Sequence, residues 1–413
     1  MNNFYFGQDS ENVPLNIKEL FNLKEGIDIR YLKSINSYVY NFVGFIIKKN
    51  NTLIVFPKHF YNEYNYELIN QSDNKQFSKL LFKTLTKYIT TSESSNNRYY
   101  GPDKNYESDF PFSAFYIIYD YYKRYGLYYE DKKILKNNNT GNYDWKKTIQ
   151  KSNIIISNHN LIYTPIYSNQ KIHKTNFISD CMIYAINSTL NVFPFLENIT
   201  PVKNKISDNR IFNNFDYIIK TLESYKRNIF KDTQKKLINS LIEFFSFDKK
   251  IQKGGKRVIK VNYFATIWQT MINDYLNKHF ISFDETTNTI IFDNTQKRSS
   301  IIFEPKTIQI DKSHHQFEIE LDHYAYTDKA QYIFDSKYYY EIDDLNYKQF
   351  TYNVLLGNSE TYKRPKLFSC LILPGNKKNE LNLDLVDDIK IKQRIITEQY
   401  ISVQDVMNDY IDN

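Results

Sequence analysis

From residue 258 onward the chain alternates between two hydrophobic periods in an order that leaves few packings open. "YFATIWQTMINDYLNKHF" repeats at helical spacing and sets Ile267, Met271, Tyr275 and His279 on one face, with Trp268 beside them. Strand-like runs follow in "NTIIFD", "SIIFEP", "HQFEIELDHYAY" and "AQYIFDSKYYY". A second helix is expected over "DDLNYKQFTYNVLL", with Asp343 or Asp344 as N-cap and an end before Gly357, and then an apolar strand, "KLFSCLILPG". Helix, strands, helix, strand predicts a compact α/β layer unit.

The rest of the chain divides around that unit. At 413 residues it exceeds one ordinary core, so several domains are expected. Residues 1–100 read as a β-rich N-terminal region. In it "YVYNFVGFII" and "TLIVFPKHF" form a hairpin about the turn Lys48 to Asn51, and the helix "KQFSKLLFKTLTKYI" closes the region. Residues 101–257 read as a mostly helical bridging region, including one long helical stretch from about Ile211 to Phe247. Residues 258–413 form the α/β domain, closed by a terminal helix in "TEQYISVQDVMNDYI". The fold class is thus α+β or α/β and multidomain.

Composition excludes several classes. Two cysteines, Cys181 and Cys370, lie outside any CxxC spacing, which argues against a disulfide framework or a zinc module. No signal peptide or ~18-residue apolar span is read, so a cytoplasmic protein without membrane association is expected. A formal charge of +7 is compatible with a polyanionic partner without specifying one. No Walker A pattern occurs, so any nucleotide hydrolysis belongs to another chain.

The run "YIFDSKYYYEIDD" sets Asp335 and Lys337 on the same side of an apolar strand. If 315–326 and 330–340 are neighbouring strands, Asp322 approaches Asp335. Facing carboxylates in a dry site repel each other, and a hard divalent cation such as Mg²⁺ or Mn²⁺ resolves the conflict. Asp322, Asp335 and the Ser336 carbonyl are then the candidate ligands, with Lys337 holding an attacking water or neutralising a phosphate. An edge-strand ion pair, with Asp322 capping a turn, satisfies the same spacing. His314, His315 and His323 lack zinc spacing and read as exposed residues near a turn. The basic loop "IQKGGKRVIK", Ile251 to Lys260, reads either as a phosphate contact or as a solvated linker. Tyr122, Tyr125, Tyr128 and Tyr129, with Lys123 and Arg124, offer base-stacking groups that helix packing also accounts for.

"LDHYAY" and "IFDSKYY" resemble the PD-(D/E)xK nuclease signature, and more narrowly that of the LlaJI-type restriction endonucleases and the related McrC-like subunits. Gln349 and Tyr352 match that group's downstream helix. Trp268-Gln269 matches its upstream Trp-Glu pair except for one residue, and Leu321 stands where a proline often precedes the first aspartate. "NFVGFIIKKNNTLIVFPKHF", ending in Pro57-Lys58, resembles the group's opening hairpin, and "GNYDWKKTIQKS" its Gly-Trp-Thr-Ile segment. The resemblance implies an Mg²⁺-dependent endonuclease for double-stranded DNA in a McrBC/LlaJI-like restriction system, with Gln349, Tyr352 and Gln269 supporting the site. It also implies a separate McrB-like AAA+ GTPase ring that carries the GTP, docked on the N-terminal region, and pairing of two nuclease subunits. A catalytically weak activator of that GTPase is the alternative.

Overall fold

The computed structural model describes residues 3–48, 51–61, 71–95, 106–108, 111–137, 142–157, 160–193, 196, 199–252, 256–295, 298–310, 318–340, 342, 344, 346–359, 361–362, 364–384 and 395–412. Contacts divide the chain into two units: Met1–Asp109 together with Lys256–Asn413, and Phe110–Gly255. The segments expected as an N-terminal region and a C-terminal domain therefore share the first unit.

That unit holds two sheets. The first contains β1 (Asn3–Gln8), β2 (Val43–Lys48), β3 (Asn51–Phe56), β4 (Tyr106–Ser108) and β5 (Arg257–Val261), in the order β1-β3-β2-β5-β4. Strands β2 and β3 form the hairpin read from the sequence, with Lys48 opposite Asn51. Side chains alternate faces along β2. Ile46 packs with Phe21, Leu53 and Val258 on the side of the short helix Leu15–Phe21. Phe45 packs against Phe82 of the long helix α1 (Gln71–Ser95) on the other side.

Strand β5 comes from the stretch read as a basic loop. Its residue Lys260 is 1 % exposed and ion-paired with Asp28, so it is no phosphate contact. Residues 253–255 of that loop lie outside the described residues. At Gly44 the backbones of β2 and β5 come so close that a Cβ would stand 2.1 Å from the Ile259 carbonyl oxygen.

The second sheet contains β6 (Glu304–Gln309), β7 (Glu318–Tyr326), β8 (Ala330–Ser336), β9 (Lys366–Pro374), β10 (Glu380–Asp384) and β11 (Ile395–Ile401), in the order β6-β7-β8-β9-β11-β10. Strands β8, β9 and β11 run parallel, and the outer pairs are antiparallel. Helix α2 (Phe264–His279) lies on one face, where Phe280, Phe303, Tyr332 and Phe334 pack edge to face and stacked. Helix α3 (Tyr347–Asn358) covers the other face through Tyr352 and Leu356, against Leu321, Ile333 and Leu367. The α3 N-cap is Asn346, whose side chain accepts from the Gln349 N–H; it is neither of the expected aspartates.

The expected C-terminal helix is half strand. Ile395–Ile401 enters the sheet as β11, because β-branched residues favour a pleated surface and Ser402 then caps a new helix, α4 (Val403–Ile411).

The second unit is richer in helix than in strand and adds small sheets not expected from the sequence. Its helices Phe112–Tyr125, Phe177–Val192, Phe215–Arg227 and Asp232–Gln252 are joined by two small sheets. One pairs Tyr129–Asn137 with Tyr167–Thr175, and the other pairs Asn153–Ser157 with Asn160–Thr164. The stretch from Ile211 to Phe247 is not continuous. A 3₁₀ turn opens it, and the helix breaks at Asn228, whose N–H closes the preceding helix. Mixed α and β structure describes both units. Among the described residues no helix is long and apolar enough to cross a membrane.

Candidate active site at the Asp322–Asp335 pair

Strands β7 and β8 pair with His323 opposite Phe334, and one further step along that register sets Asp322 across from Asp335. Strand β7 carries an extra residue in this stretch: Glu304 pairs with Tyr324, but Lys306 pairs with Leu321. A bulge of this kind re-aims side chains, here Asp322 and His323. Because neighbours alternate faces, the two aspartates lie on the α3 face, while His323 and Ser336 lie on the α2 face.

The pair is drawn tight. The Ser336 N–H donates to Asp322 Oδ2 at 3.2 Å. Asp335 is 2 % exposed. Its Oδ2 takes the Lys337 ammonium, 2.6 Å away, as an ion pair. Burial, and then the hydrogen bond to Asp335, push the Asp322 carboxyl far above the usual carboxylate range. Burial works against the charge on Asp335 too, yet the bond from Asp322 and the Lys337 charge hold that carboxyl below its ordinary value. The two facing acids are thus driven apart in acidity, Asp335 holding its charge more readily than Asp322.

Behind the pair, His323 corrects the expectation of an exposed histidine: it is fully buried. Burial lowers its pKa to about 4. The neutral ring donates from Nδ1 to Asn273 Oδ1 at 3.1 Å and accepts at Nε2 from the Ser336 hydroxyl at 2.6 Å. Helix α2 thus fixes the end of β8 through Asn273, His323 and Ser336. His314 and His315 lie outside the described residues.

Of the remaining predicted residues, Gln349 and Tyr352 hydrogen-bond to the strands that carry the pair. Gln349 is buried and donates from Nε2 to the Ile333 carbonyl and the Ser369 hydroxyl, both at 2.7 Å, bracing β8 against β9. Its Oε1 is buried with no partner. The Tyr352 hydroxyl donates to the Glu320 carbonyl at 2.9 Å. Gln269 is half-buried on α2, one turn before Asn273, and forms no hydrogen bond to the aspartates or Lys337. Its neighbour Trp268 is fully buried and donates from Nε1 to the Ile372 carbonyl at 3.4 Å.

Lys348 was missed in the sequence. Burial works against its charge, but the Tyr352 hydroxyl, then Asp335 and Asp322, hold its pKa above the ordinary lysine value. The signal was its place four residues before Tyr352 on one helix face. Among Tyr122, Tyr125, Tyr128 and Tyr129, Tyr128 is buried and Tyr125 is exposed.

Asp322 and Asp335 are the side chains here that could hold a hard cation. Among the described residues no cluster of three or more His, Cys, Asp or Glu side chains forms a metal cage. Two carboxylate side chains suit a hard cation such as Mg²⁺, which keeps waters and takes substrate oxygens, better than Zn²⁺ or Ca²⁺.

A family model described as LlaJI restriction endonuclease matches residues 42–404. No curated protein matches the sequence. Among solved structures, the chain is similar to a refined half-complex from the tetradecameric assembly of Thermococcus gammatolerans McrB AAA+ hexamers with bound McrC. That match has 11 % identity and a TM-score of 0.37, covering 99 % of this chain and 98 % of the other. A cryo-EM structure of the Thermococcus gammatolerans McrBC complex matches at 11 % identity and a TM-score of 0.22, covering 59 % of this chain and 79 % of the other.

Proposed function

Because this chain belongs to the LlaJI restriction endonuclease family, we propose that it is the DNA-cutting subunit of a restriction system, with its chemistry at Asp322, Asp335 and Lys337. The carrying observation is that two buried-side carboxylates face each other across β7 and β8, with the Lys337 ammonium 2.6 Å from Asp335.

Asp322, Asp335 and the Ser336 carbonyl would hold Mg²⁺. When bound, the ion supplies Lewis-acid stabilisation and a more acidic water. Lys337, already paired with Asp335, is placed to orient that water or to offset charge on the phosphate oxygens as the water oxygen bonds to phosphorus and the P–O bond to the leaving oxygen breaks. Lys348 adds a second cation on the same face. Gln349, Tyr352, Asn273 and His323 hold the strands in place.

The sequence resemblance to McrC-like subunits supports a separate AAA+ GTPase ring as partner, which would carry the GTP. The first sheet is the candidate docking element. Cutting both strands calls for two such sites and hence for pairing of nuclease subunits. A second reading, a subunit that chiefly stimulates the ring, is favoured by Gln269, a neutral residue where the family pattern carries a glutamate and one that forms no hydrogen bond to the pair.

The test is cleavage of methylated and unmethylated target plasmids with Mg²⁺, partner and GTP, comparing wild type with Asp335→Ala. Cutting by wild type alone supports the nuclease. Equal behaviour on a verified target removes it, and stimulated GTP hydrolysis in both would leave the activator standing.

A further inference from the structure

The residues immediately after Lys337 are gripped by the first sheet, not by their own. The Lys58 N–H donates to the Tyr338 phenol oxygen at 2.7 Å, and the Lys58 ammonium donates to the Tyr338 carbonyl at 3.2 Å. The same ammonium stands over the Tyr338 and Tyr340 rings, 4.9 Å and 5.6 Å from their centroids. His59 Nε2 donates to the Tyr340 carbonyl at 3.0 Å. The Tyr340 hydroxyl donates to the Asp9 carbonyl at 2.8 Å and accepts from Gln8 Nε2 at 3.0 Å. Gln8 ends β1, and Lys58 and His59 follow β3, so two neighbouring strands of one sheet close on one short segment of the other.

Three features separate this contact from ordinary packing. Two backbone carbonyls of the segment, those of Tyr338 and Tyr340, are bonded by side chains of the 58–59 loop. His59 is held at φ +55, a conformation that a non-glycine residue keeps only where its surroundings over-determine it. Lys337 is the last residue whose own N–H joins β9, through the Ile372 carbonyl at 2.9 Å, so the loop takes over where the sheet stops.

We propose that Lys58, His59 and Tyr340 are positioning residues for Lys337: they fix the backbone on its C-terminal side so that its ammonium stays against Asp335. This rests on the nuclease reading above. It makes the first sheet part of the site's support, since a group that must sit within about 0.5 Å of its productive position needs such a shell.

The experiment uses the full chain with its partner, comparing wild type, Lys58→Met, Lys58→Arg and Tyr340→Phe. Amide hydrogen exchange over 337–340 is read without DNA, and single-turnover cleavage and DNA affinity are read with Mg²⁺. Lys58→Met and Tyr340→Phe should raise exchange over 337–340 while leaving the middle of β8 protected. They should slow the single-turnover rate by about 10- to 100-fold, the scale of a roughly 1 Å misplacement, with DNA affinity unchanged. Lys58→Arg, which keeps a donor to the carbonyl, should recover most of the rate. A merely destabilised protein would lose active fraction and affinity, not rate. Wild-type rates in both variants overturn the assignment, whether or not exchange rises. If wild type itself fails to cut a verified target, the nuclease reading falls, and unchanged exchange would separately overturn the clamp.

Discussion

Replacing Asp28 by alanine should destabilise the first unit more than any single surface change. Asp28 is 1 % exposed. Its Oδ1 takes the Lys260 ammonium, while Oδ2 takes the Lys24 N–H at 2.9 Å and the Lys256 ammonium at 3.1 Å. Removing the carboxylate takes the Asp28 ion pair away from the 1 %-exposed Lys260 ammonium. Breaking a buried pair from one side costs about 3–5 kcal/mol. Lys256 is 23 % exposed, so Lys256→Ala should cost about 1 kcal/mol or less. A double variant, Asp28→Leu with Lys260→Met, should recover most of the loss, because apolar groups of similar volume pack there without a desolvation cost. The chain has two tryptophans, so in a Trp145→Phe background Trp268 alone reports the first unit during denaturant unfolding. The pH dependence is a second check. Burial opposes the Asp28 charge, but the Lys260 hydrogen bond wins and holds its pKa below 3.8. A depressed carboxylate contributes stability that is full above its unfolded value and lost as pH falls through the folded one. The wild-type and Asp28→Ala curves should therefore converge below pH 3.8. A cost under about 1 kcal/mol at neutral pH, or equal costs for Asp28→Ala and Lys256→Ala, would refute the reasoning.

Three further outcomes are expected. Asp322→Asn should abolish Mg²⁺-dependent cutting yet raise stability in chelator by about 1 kcal/mol, since it removes one of two facing acids; thermal melts with and without Mg²⁺ should also show no metal-induced shift in this variant. Gln269→Glu should lower the Mg²⁺ concentration needed for half-maximal cleavage, as read by titration; an unchanged midpoint would mean that this helix position does not reach the ion. Gly44→Ala should cost upward of about 2 kcal/mol in denaturant unfolding, because its φ of +138 and the Ile259 carbonyl 2.1 Å from a Cβ leave no room.

What could be read from the sequence followed local rules. The Lys48–Asn51 hairpin and the facing of Asp322 and Asp335 depend on short-range pairing and on the period of two, so residue order sufficed. What escaped reading depended on distant partners. Lys260 looked like part of a solvated basic loop because Asp28, the residue that neutralises it, lies 232 positions away. Thr397–Ile401 looked helical because the strand neighbours of β11, β9 and β10, supply the pairing that decides the matter. His323 looked exposed because the bulge in β7 and the Asn273 side chain that receives it are invisible without the fold.

Strand β5 lies between β2 and β4, yet it is separated from β4 in sequence by the whole Phe110–Gly255 unit. A ribosome delivers β1, β2, β3 and β4 long before it delivers the strand that joins them. Until residue 261 emerges, β2 presents an open edge, the kind of surface that recruits stray strands. A fragment ending near residue 100, cut out to isolate the first sheet, would keep that edge permanently and lose the Lys260 partner of Asp28 as well. Such a fragment should aggregate rather than bind. A design that joins β4 to β5 with a short linker in place of the second unit is the sounder way to obtain this sheet on its own.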